Sequence, residues 1–465
     1  MAGEFWQLPL QRTTAILGSK AAAWAADNTP DRFVEYLASS GTQYLDTGVV
    51  GRYNMKAEMK MSWQDLSKDV AFLDARASAN TNTRIFFCHS YTGSVNFAYG
   101  TFRYCPLGNN GGSPDNDKFE KNTIYTVSTE FAKTGDSTVN FTMTVDGGAY
   151  TNKVVASGTD SSLVDANCNL YLFANNINGT ANNNSKARCY ELKIWQDGIL
   201  VRDFRPCVKD GKGMLWDAVT ESLFRPVPDI AATASAVGAT TGFPVGVKPV
   251  SYVEYVQTDG NQYVDTEVVG KSGTAAEFEM EWLNNAAEVD QAFLGATNGS
   301  RYYLWHRAHG KIGYGYGSAF CYPNANNPAA PFTRYDSSNP MMDVKEGYYH
   351  VLSSLAAGSQ TIEADGTTIL SATNSDSINT GLNLYLFAIN EKGSPKYYGN
   401  ARLKWLKIWQ DGDLKRDFRP VLMKGYDSAV LWDKVDGRVF LPSAPFSAQG
   451  PVTRGFADGM TIIFR

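Results

Sequence analysis

The most constraining feature of this chain is that it repeats itself. The block Val34-Glu35-Tyr36 returns 219 positions later as Val253-Glu254-Tyr255. Further along, Leu192–Gly198 returns unchanged as Leu406–Gly412, at an offset of 214. Because the two offsets are so similar, one domain-sized unit has been duplicated with small changes in its loops. The chain is therefore predicted to be a tandem of two like domains.

The repeat divides the chain into five segments. An N-terminal arm, residues 1–30, has no counterpart in the second half, and residues 229–249 are rich in Ala, Thr, Gly and Pro, as is typical of a linker. The two domains are predicted at 31–228 and 250–447, and a C-terminal tail follows at 448–465. The tail ends in β-branched and aromatic residues, which favour a strand that packs on its own domain or is lent to another.

Within each copy, short runs alternate between apolar and polar residues. Val139–Val145 alternates in this way and is followed by Asp146-Gly147-Gly148, which predicts a hairpin, and Glu277–Trp282 shows the same alternation. No stretch shows a sustained helical period. We therefore predict an all-β protein with an antiparallel β-sandwich in each half.

Charge and hydropathy exclude several classes of function. The net charge is −5 and no cluster of Lys and Arg is longer than a pair, so the positive surface of a nucleic-acid-binding protein is missing. The apolar runs are strand-sized, which argues against membrane insertion because a membrane helix needs about 20 residues. The N-terminus shows no Sec signal peptide. Motifs of metalloenzymes, nucleotide-binding proteins and serine hydrolases are also absent from the sequence.

Five blocks follow one another in the same order in both copies: Val-Glu-Tyr, Gly-Thr-Gln-Tyr-Leu-Asp-Thr (Gly-Asn-Gln-Tyr-Val-Asp-Thr in the second copy), Leu-Tyr-Leu-Phe-Ala, Leu-Lys-Ile-Trp-Gln-Asp-Gly and Arg-Asp-Phe-Arg-Pro. This order resembles the laminin-G-like branch of the concanavalin A-like lectin/glucanase superfamily. The resemblance implies two jelly-roll domains of the kind found in phage and bacterial surface proteins. It implies less about function, because the superfamily includes lectins, adhesion modules, glycosidases and structural proteins.

One group of polar and aromatic residues occupies the same place in both copies. Arg84 and His89 match Arg301 and His306, at an offset of 217. The aromatic residues downstream of them also match, and they are Phe97, Tyr99, Tyr314 and Tyr316. Aromatic rings stack on sugars while Arg and His bond hydroxyl groups, so these eight residues are candidates for ligand binding. The alternative is that the aromatic residues belong to the core and that the glycines between them let the other sheet approach.

Asp46 and Asp265 occupy equivalent positions beside a tyrosine in each copy. The resemblance to laminin G domains makes them candidate calcium ligands, and the alternative is that each aspartate closes its own turn. Calcium is the one cofactor left open, and no other cofactor is expected.

The sequence lacks the paired carboxylates of a glycosidase. Enzymes of this fold carry Glu-x-Asp-x-x-Glu or a near variant on one strand, and no such motif is present. Glu277, Glu279 and Glu281 line one strand face, but only one of them is a glutamate in the first copy, which indicates a solvated face. The expectation is that the chain is not an enzyme, with a polysaccharide hydrolase of unorthodox site as the weaker alternative.

The sequence thus predicts a non-catalytic recognition protein, a phage virion or bacterial surface component whose tandem lectin-like domains bind a glycan or a partner protein. The alternative is a purely structural, self-assembling subunit of a capsid decoration, tail or filament. Assembly would use apolar residues of the two termini, namely Trp6, Leu8, Leu10, Ile462, Ile463 and Phe464. We expect a homo-oligomer or part of a larger assembly, on a virion, at the cell surface or outside the cell.

Overall fold

In the computed structural model, the chain forms two compact units that meet in sequence between Pro244 and Val245, here called the first and second domain. The structure describes residues 29–78, 81–104, 117–283, 290–308, 311–317, 319–321 and 344–455. The six terminal residues predicted to drive assembly lie outside these ranges. The predicted all-β class is confirmed, since the helices of the described part are a 3-10 turn, Thr81–Thr83, and one α-helical turn, Ala234–Val237. No helix in the described ranges is long and apolar enough to cross a membrane.

The strands follow one another closely in both domains. Those of the first domain are β1 (Arg32–Val34), β2 (Leu37–Ala38), β3 (Leu45–Arg52), β4 (Met55–Trp63), β5 (Asp69–Arg76), β6 (Ile85–Tyr91), β7 (Ser94–Tyr99), β8 (Phe102–Tyr104), β9 (Tyr125–Lys133), β10 (Val139–Gly147), β11 (Tyr150–Asp160), β12 (Asp165–Leu172), β13 (Asn175–Ile177), β14 (Thr180–Asn182), β15 (Ala187–Gln196), β16 (Ile199–Lys209), β17 (Lys212–Asp217), β18 (Ser222–Phe224), β19 (Ile230–Ala231) and β20 (Thr240–Gly242). Those of the second domain are β21 (Ser251–Val253), β22 (Val256–Gln257), β23 (Val264–Lys271), β24 (Thr274–Trp282), β25 (Gln291–Thr297), β26 (Arg301–Ala308), β27 (Lys311–Gly317), β28 (Ala319–Cys321), β29 (Tyr349–Ala356), β30 (Ser359–Ala364), β31 (Thr367–Ala372), β32 (Asn379–Leu386), β33 (Ile389–Glu391), β34 (Ser394–Lys396), β35 (Ala401–Gln410), β36 (Asp413–Leu422), β37 (Val430–Asp433), β38 (Arg438–Phe440), β39 (Ala448–Gln449) and β40 (Val452–Gly455).

Each domain is a sandwich of a large and a small sheet. In the first domain the large sheet runs β11-β10-β9-β4-β15-β16-β1-β20 and the small sheet runs β14-β13-β5-β6-β7-β8. In the second domain the large sheet runs β31-β30-β29-β24-β35-β36-β21-β40 and the small sheet runs β23-β32-β25-β26-β27-β28. The run β23-β32-β25 corresponds to β3-β12-β5 of the first domain, and β34-β33-β25 corresponds to β14-β13-β5. The pairings between these strands are antiparallel within the described residues, apart from β13 with β5 and β33 with β25. The duplication seen in the sequence is therefore a duplication of strand order.

The core lies between the two sheets because one face of each strand is apolar. On β9 and β10 every second residue is buried along most of the strand. Phe97 and Tyr99 of the small sheet pack against Phe131 of the large sheet, with ring centroids 5.5 and 5.1 Å away. Burial of a large apolar side chain contributes about 1.5–3 kcal/mol, so the alternating pattern supplies most of the cohesion of each sandwich.

Residues 230–242, within the predicted linker, and residues 448–455, within the predicted tail, pair with strands of their own domains. Thr240–Gly242 pairs with β1, and Val452–Gly455 pairs with the equivalent strand β21. The backbone of Glu35 donates a hydrogen bond to Ala239 O at 2.9 Å, and that of Glu254 donates to Pro451 O at 3.0 Å. Each domain thus ends in a closing segment that returns to its own first strand. The Ala- and Pro-rich composition resembled a linker, but the backbone of these segments is hydrogen-bonded into the sheet.

The repeat continues through these closing segments. Ser235-Ala236-Val237-Gly238 matches Ser447-Ala448-Gln449-Gly450, at an offset of 212. The glycine is required by a close approach, because a Cβ atom on Gly238 would lie 2.7 Å from Tyr36 Cε1 and one on Gly450 would lie 2.8 Å from Tyr255 Cδ1. The repeated Val-Glu-Tyr block is therefore the surface on which each closing segment packs.

This close approach predicts a specific loss of stability. Gly450→Ala should lower the free energy of unfolding of the second domain by about 1–3 kcal/mol, because its Cβ has no room beside Tyr255. Gly242→Ala lies in the closing segment of the first domain, where a Cβ would meet nothing within 4 Å, and should change stability by less than about 0.5 kcal/mol. Chemical denaturation followed by circular dichroism compares the two variants, and equal effects would contradict the role given to Gly450.

Candidate ligand-binding face of the small sheet

The two predicted histidines lie on the face of the small sheet that points away from the core, here called the ligand face. On β7, Val95 and Phe97 belong to the core, so Asn96 between them points to the other side. Asn96 is the cross-strand partner of His89, and paired residues share a face. His306 has the same position on β26, opposite Gly313. Arg84 lies directly before β6 and is buried.

Three of the predicted aromatic residues lie on the core face instead. Phe97, Tyr99 and Tyr316 have no exposed surface. The Tyr99 hydroxyl donates to Ser162 O at 2.9 Å, and the Tyr316 hydroxyl donates to Asp376 O at 2.6 Å. A ligand cannot contact these rings without unpacking the core, so the prediction is corrected for these three residues. Alternate residues of a strand point to the same face, and for these three residues that face is the core, as the alternative interpretation proposed.

In the first domain, His89 bridges two carboxylates. Its Nδ1 atom lies 2.5 Å from Asp74 Oδ2, and its Nε2 atom lies 2.7 Å from Asp69 Oδ1. His89 and Asp74 are buried, whereas 35% of the Asp69 side chain is exposed. The imidazole also stacks on Phe86, with 5.1 Å between the ring centroids. His89 therefore links the buried carboxylate of Asp74 to the partly exposed carboxylate of Asp69.

The two carboxylates hold the imidazole in its charged form. Burial alone would lower the pKa of His89, but the charge of Asp74 and the hydrogen bonds to both carboxylates raise it to about 9. Burial raises the pKa of Asp74 to about 6, and the charge of His89 opposes this effect. Burial also acts on Asp69, but the hydrogen bond and charge of His89 outweigh it and lower the pKa of Asp69. At neutral pH the cluster holds two carboxylates and one imidazolium.

In the second domain, the same place is an open pocket of about 330 Å³. This volume lies within the range of roughly 300–1,000 Å³ that is common for small-molecule sites. Three of the predicted residues, Arg301, His306 and Tyr314, line it together. The other lining residues in the described ranges are Asp290, Thr297, Gly299, Tyr303, Ile389, Glu391, Lys392 and Tyr397.

Two substitutions between the copies explain why the second domain has room. The strand registers show that Asp74 corresponds to Gly295 and that Asn96 corresponds to Gly313. The second domain therefore lacks the carboxylate that binds the histidine and the amide opposite it. Both changes remove side-chain volume from the ligand face.

The glycines of the second domain make room for an aromatic ring. A Cβ atom on Gly315 would lie 2.6 Å from Tyr303 Cδ2, and one on Gly295 would lie 3.0 Å from Tyr303 Cδ1. The ring of Tyr303 thus rests on a floor of bare backbone. The sequence-based alternative was that the glycines between the aromatic residues, among them Gly315, let the other sheet approach. In the structure Gly315, together with Gly295, accommodates Tyr303 on the ligand face.

The histidine of the second domain is neutral. Burial lowers the pKa of His306 to about 4, because no carboxylate takes the place of Asp74. Its ring lies 5.9 Å from the ring of Tyr303. A neutral imidazole offers one hydrogen-bond donor and one acceptor. The pocket therefore combines an aromatic surface with hydrogen-bond donors and acceptors and with charged side chains of both signs.

Asp46 and Asp265 make the contacts of turn formers. Asp46 Oδ1 accepts a hydrogen bond from the Gly48 N–H at 2.8 Å, and Asp265 Oδ1 accepts one from the Glu267 N–H at 2.8 Å. The other carboxylate oxygen of each accepts from an asparagine amide, at 3.2 and 3.3 Å. In the part of the chain that the structure describes, no group of three or more His, Cys, Asp or Glu side chains is placed to hold a metal ion.

Sequence reasoning missed Asp69, Asp74 and Tyr303. Tyr303 matches Phe86 at the offset of 217 that relates the histidines, so a comparison of the two copies could have found it. Asp74 has glycine as its counterpart, and the repeat offers no signal for it. Its role depends on a contact between neighbouring strands.

Comparisons with known proteins give distant structural likenesses and no sequence match. No protein-family model matches the chain, and no curated protein sequence matches it. Among solved structures, mouse laminin α1 domains LG4-5 are 14% identical, with 91% of this chain and 96% of that chain covered and a TM-score of 0.26. The LG1-3 region of the laminin α2 chain is 11% identical, with 82% and 63% covered and a TM-score of 0.25. At TM-scores this low the likeness assigns no superfamily, and the predicted β-sandwich in each half rests on the sheet pairings described above.

The prediction that the chain is not an enzyme is contradicted by the same comparison. The similar structures include the NanB sialidase from Streptococcus pneumoniae, which is 10% identical, with 91% of this chain and 74% of that chain covered and a TM-score of 0.26. A mutant Trypanosoma rangeli sialidase is also among them. At this level of identity the likeness concerns the fold alone, so it assigns no activity. The missing glycosidase motif nevertheless no longer excludes one.

The two histidines predict opposite pH dependences of stability for the two domains. The pKa of His89 is about 9 in the folded chain and about 6.5 in the unfolded chain. The free energy of unfolding of the first domain should therefore fall by up to about 3 kcal/mol as pH rises from 6.5 to 9. Because burial raises the pKa of Asp74 from 3.8 to about 6, the first domain should also lose stability as pH rises through that lower range. The pKa of His306 is about 4 when folded, so the second domain should lose stability as pH falls from 6.5 to 4.

Scanning calorimetry of the full-length chain across this pH range checks both signs. His89→Gln should flatten the alkaline loss, and it should also destabilise the first domain because Asp74 loses its partner. His306→Gln is the matched control and should flatten the acid loss of the second domain. Two transitions with the same pH dependence would contradict the assignment.

Proposed function

We propose that the second domain binds a carbohydrate in the pocket around Tyr303. The observation that carries this proposal is the half-buried ring of Tyr303, supported by Gly295 and Gly315, with Arg301 and His306 beside it. Aromatic rings provide a flat apolar surface for sugar C–H groups, while polar side chains around them bond the hydroxyl groups.

The charges around the pocket favour a ligand of low net charge. Arg301 and Lys392 supply two positive charges, and Asp290 and Glu391 supply two carboxylates. Such a balanced set of donors and acceptors suits a polyhydroxylated molecule, whereas a strongly anionic polymer needs an excess of cations. The pocket also suits a small ligand better than a protein surface, because protein interfaces are usually broad and bury about 800 Å² on each partner.

A surface location and assembly through the termini belong to the same proposal. A pair of glycan-binding domains would suit a phage virion or bacterial surface component, either in contact with a glycan or joined to other subunits. Support for this part comes from the sequence resemblance and the apolar termini.

A glycan array followed by calorimetric titration of the strongest hit tests the binding pocket. Tyr303→Ala should weaken binding at least about tenfold, because the stacking surface is lost. Gly315→Ala should also weaken it, since the new Cβ displaces the Tyr303 ring without removing any polar group. Tyr348→Ala is the control, because Tyr348 contacts Lys404 outside the pocket. Unchanged affinity in both pocket variants would overturn the proposal, and mass analysis of the ligand afterwards would show whether it is bound or cleaved.

A swap between the copies predicts a coupled effect. Gly295→Asp introduces the carboxylate of the first domain beside His306, so it should raise the pKa of His306 and weaken glycan binding by filling the pocket. Gly295→Ala is the control, since it adds volume without charge and should weaken binding while leaving the pKa low. Histidine ring signals in NMR, recorded with pH, measure the pKa. An unchanged pKa in Gly295→Asp would contradict the structural equivalence of Asp74 and Gly295.

A further inference from the structure

The ligand face of the first domain contains buried polar atoms that the described residues leave without a hydrogen-bond partner. Asn96 is fully buried, and neither its Oδ1 nor its Nδ2 atom has a partner. Asp74 Oδ1 and Asn175 Oδ1 are also buried and without a partner. Native proteins contain few such groups because each one costs stability, and a group of them on one sheet face calls for a physical cause.

These atoms belong to one patch. Asn96 is paired with His89 across neighbouring strands, Asp74 binds His89, and Asn175 is paired in register with Asp74. The equivalent positions of the second domain lie at and beneath its pocket, and they are Gly313, Gly295 and Ile389. The patch therefore occupies the same place on the sheet as the pocket of the second domain.

Two arginines extend the patch and add positive charge. Arg76 lies two residues after Asp74 on β5. Arg103 lies three strands along the same cross-strand row, beyond Phe86 and Ala98, and its charge acts on both Asp69 and Arg76. The Nε atoms of both arginines are buried without a hydrogen-bond partner. Together with the His89 imidazolium, Arg76 and Arg103 outnumber the carboxylates of Asp69 and Asp74, and the buried Arg84 lies directly before β6, the strand next to that of Arg76. The patch therefore has positive charge in excess and unused donors on its cationic side.

The patch has a polar connection to the surface through Asp69. The second oxygen of this carboxylate, Oδ2, accepts a hydrogen bond from Asn183 Nδ2 at 3.0 Å. Asp69 and Asn183 both line a surface depression of about 630 Å³, together with Thr42 and Tyr44. A ligand that approaches through this depression meets asparagine and carboxylate groups before it reaches His89.

We propose that this patch is a second ligand site, which takes a sugar that carries one carboxylate group, such as a uronic acid. A single carboxylate matches the excess positive charge and can accept hydrogen bonds from Arg76 and Arg103. Sugar hydroxyl groups satisfy Asp74 Oδ1, Asn175 Oδ1 and both amide atoms of Asn96, because a hydroxyl both donates and accepts. The site does not depend on the pocket of the second domain. Since its atoms are buried, binding requires opening and should be slow.

Calorimetric titration of the full-length chain with D-glucuronate and D-glucose tests the ligand class. The two sugars differ in the carboxylate group, so glucuronate should bind at least about tenfold more tightly. The double variant Arg76→Gln/Arg103→Gln should lose this preference, whereas Tyr303→Ala should keep it, which separates the site from the proposed pocket of the second domain. Absence of glucuronate binding, equal affinity for both sugars, or a preference that survives in the arginine variant would overturn the proposal.

Asn96→Leu distinguishes a ligand site from a patch filled by ordered water. Leucine removes two unsatisfied polar atoms, so the variant should fold with an equal or higher melting temperature. Under the proposal it also binds glucuronate at least about tenfold more weakly than the parent chain. If the variant is stabilised and its glucuronate affinity is unchanged, water alone occupies the patch and the proposal is wrong.

Discussion

The burial of one face of each small sheet in the sandwich core is the constraint on which the rest of this structure depends. That face must stay apolar, and it carries equivalent aromatic residues in both copies, Tyr99 and Tyr316. The opposite face differs between the two copies, because Asp74 and Asn96 of the first domain are replaced by Gly295 and Gly313 in the second.

One position on that face determines much of the local chemistry. Where the first domain has Asp74, the histidine is held as an imidazolium between two carboxylates. Where the second domain has Gly295, the histidine is neutral and an aromatic ring occupies the vacant space. A buried charge needs a partner, and removal of that partner changes both the protonation state and the available volume. The same strand register thus supports an ion cluster in one domain and a pocket in the other.

Much of this fold could be predicted from the sequence, because duplication and alternation are local signals. The paired positions of His89 and His306 were also accessible from the repeat alone. Period-two alternation does not indicate which face is the core, so the sequence left Phe97 and Tyr99 as candidates for both the core and a ligand site. The Ala- and Pro-rich composition of residues 229–249 also gave no sign that this segment forms backbone hydrogen bonds with the first strand.

The candidate site depended on contacts between strands, which the sequence does not show. The carboxylate of Asp74 reaches His89 across a strand pair, fifteen residues away in sequence. The floor beneath Tyr303 combines glycines of two strands on either side of β26. A pairwise comparison of the copies detects residues that were kept, whereas these features arose from residues that changed.

Equivalent places in the two domains differ in their chemistry because one has Asp74 where the other has Gly295. The most direct test of this difference is an NMR titration of the histidine ring signals in the full-length chain, assigned with His89→Gln and His306→Gln. The account predicts a pKa of about 9 for His89 and about 4 for His306. Similar values for the two residues, both near 6.5, would contradict it.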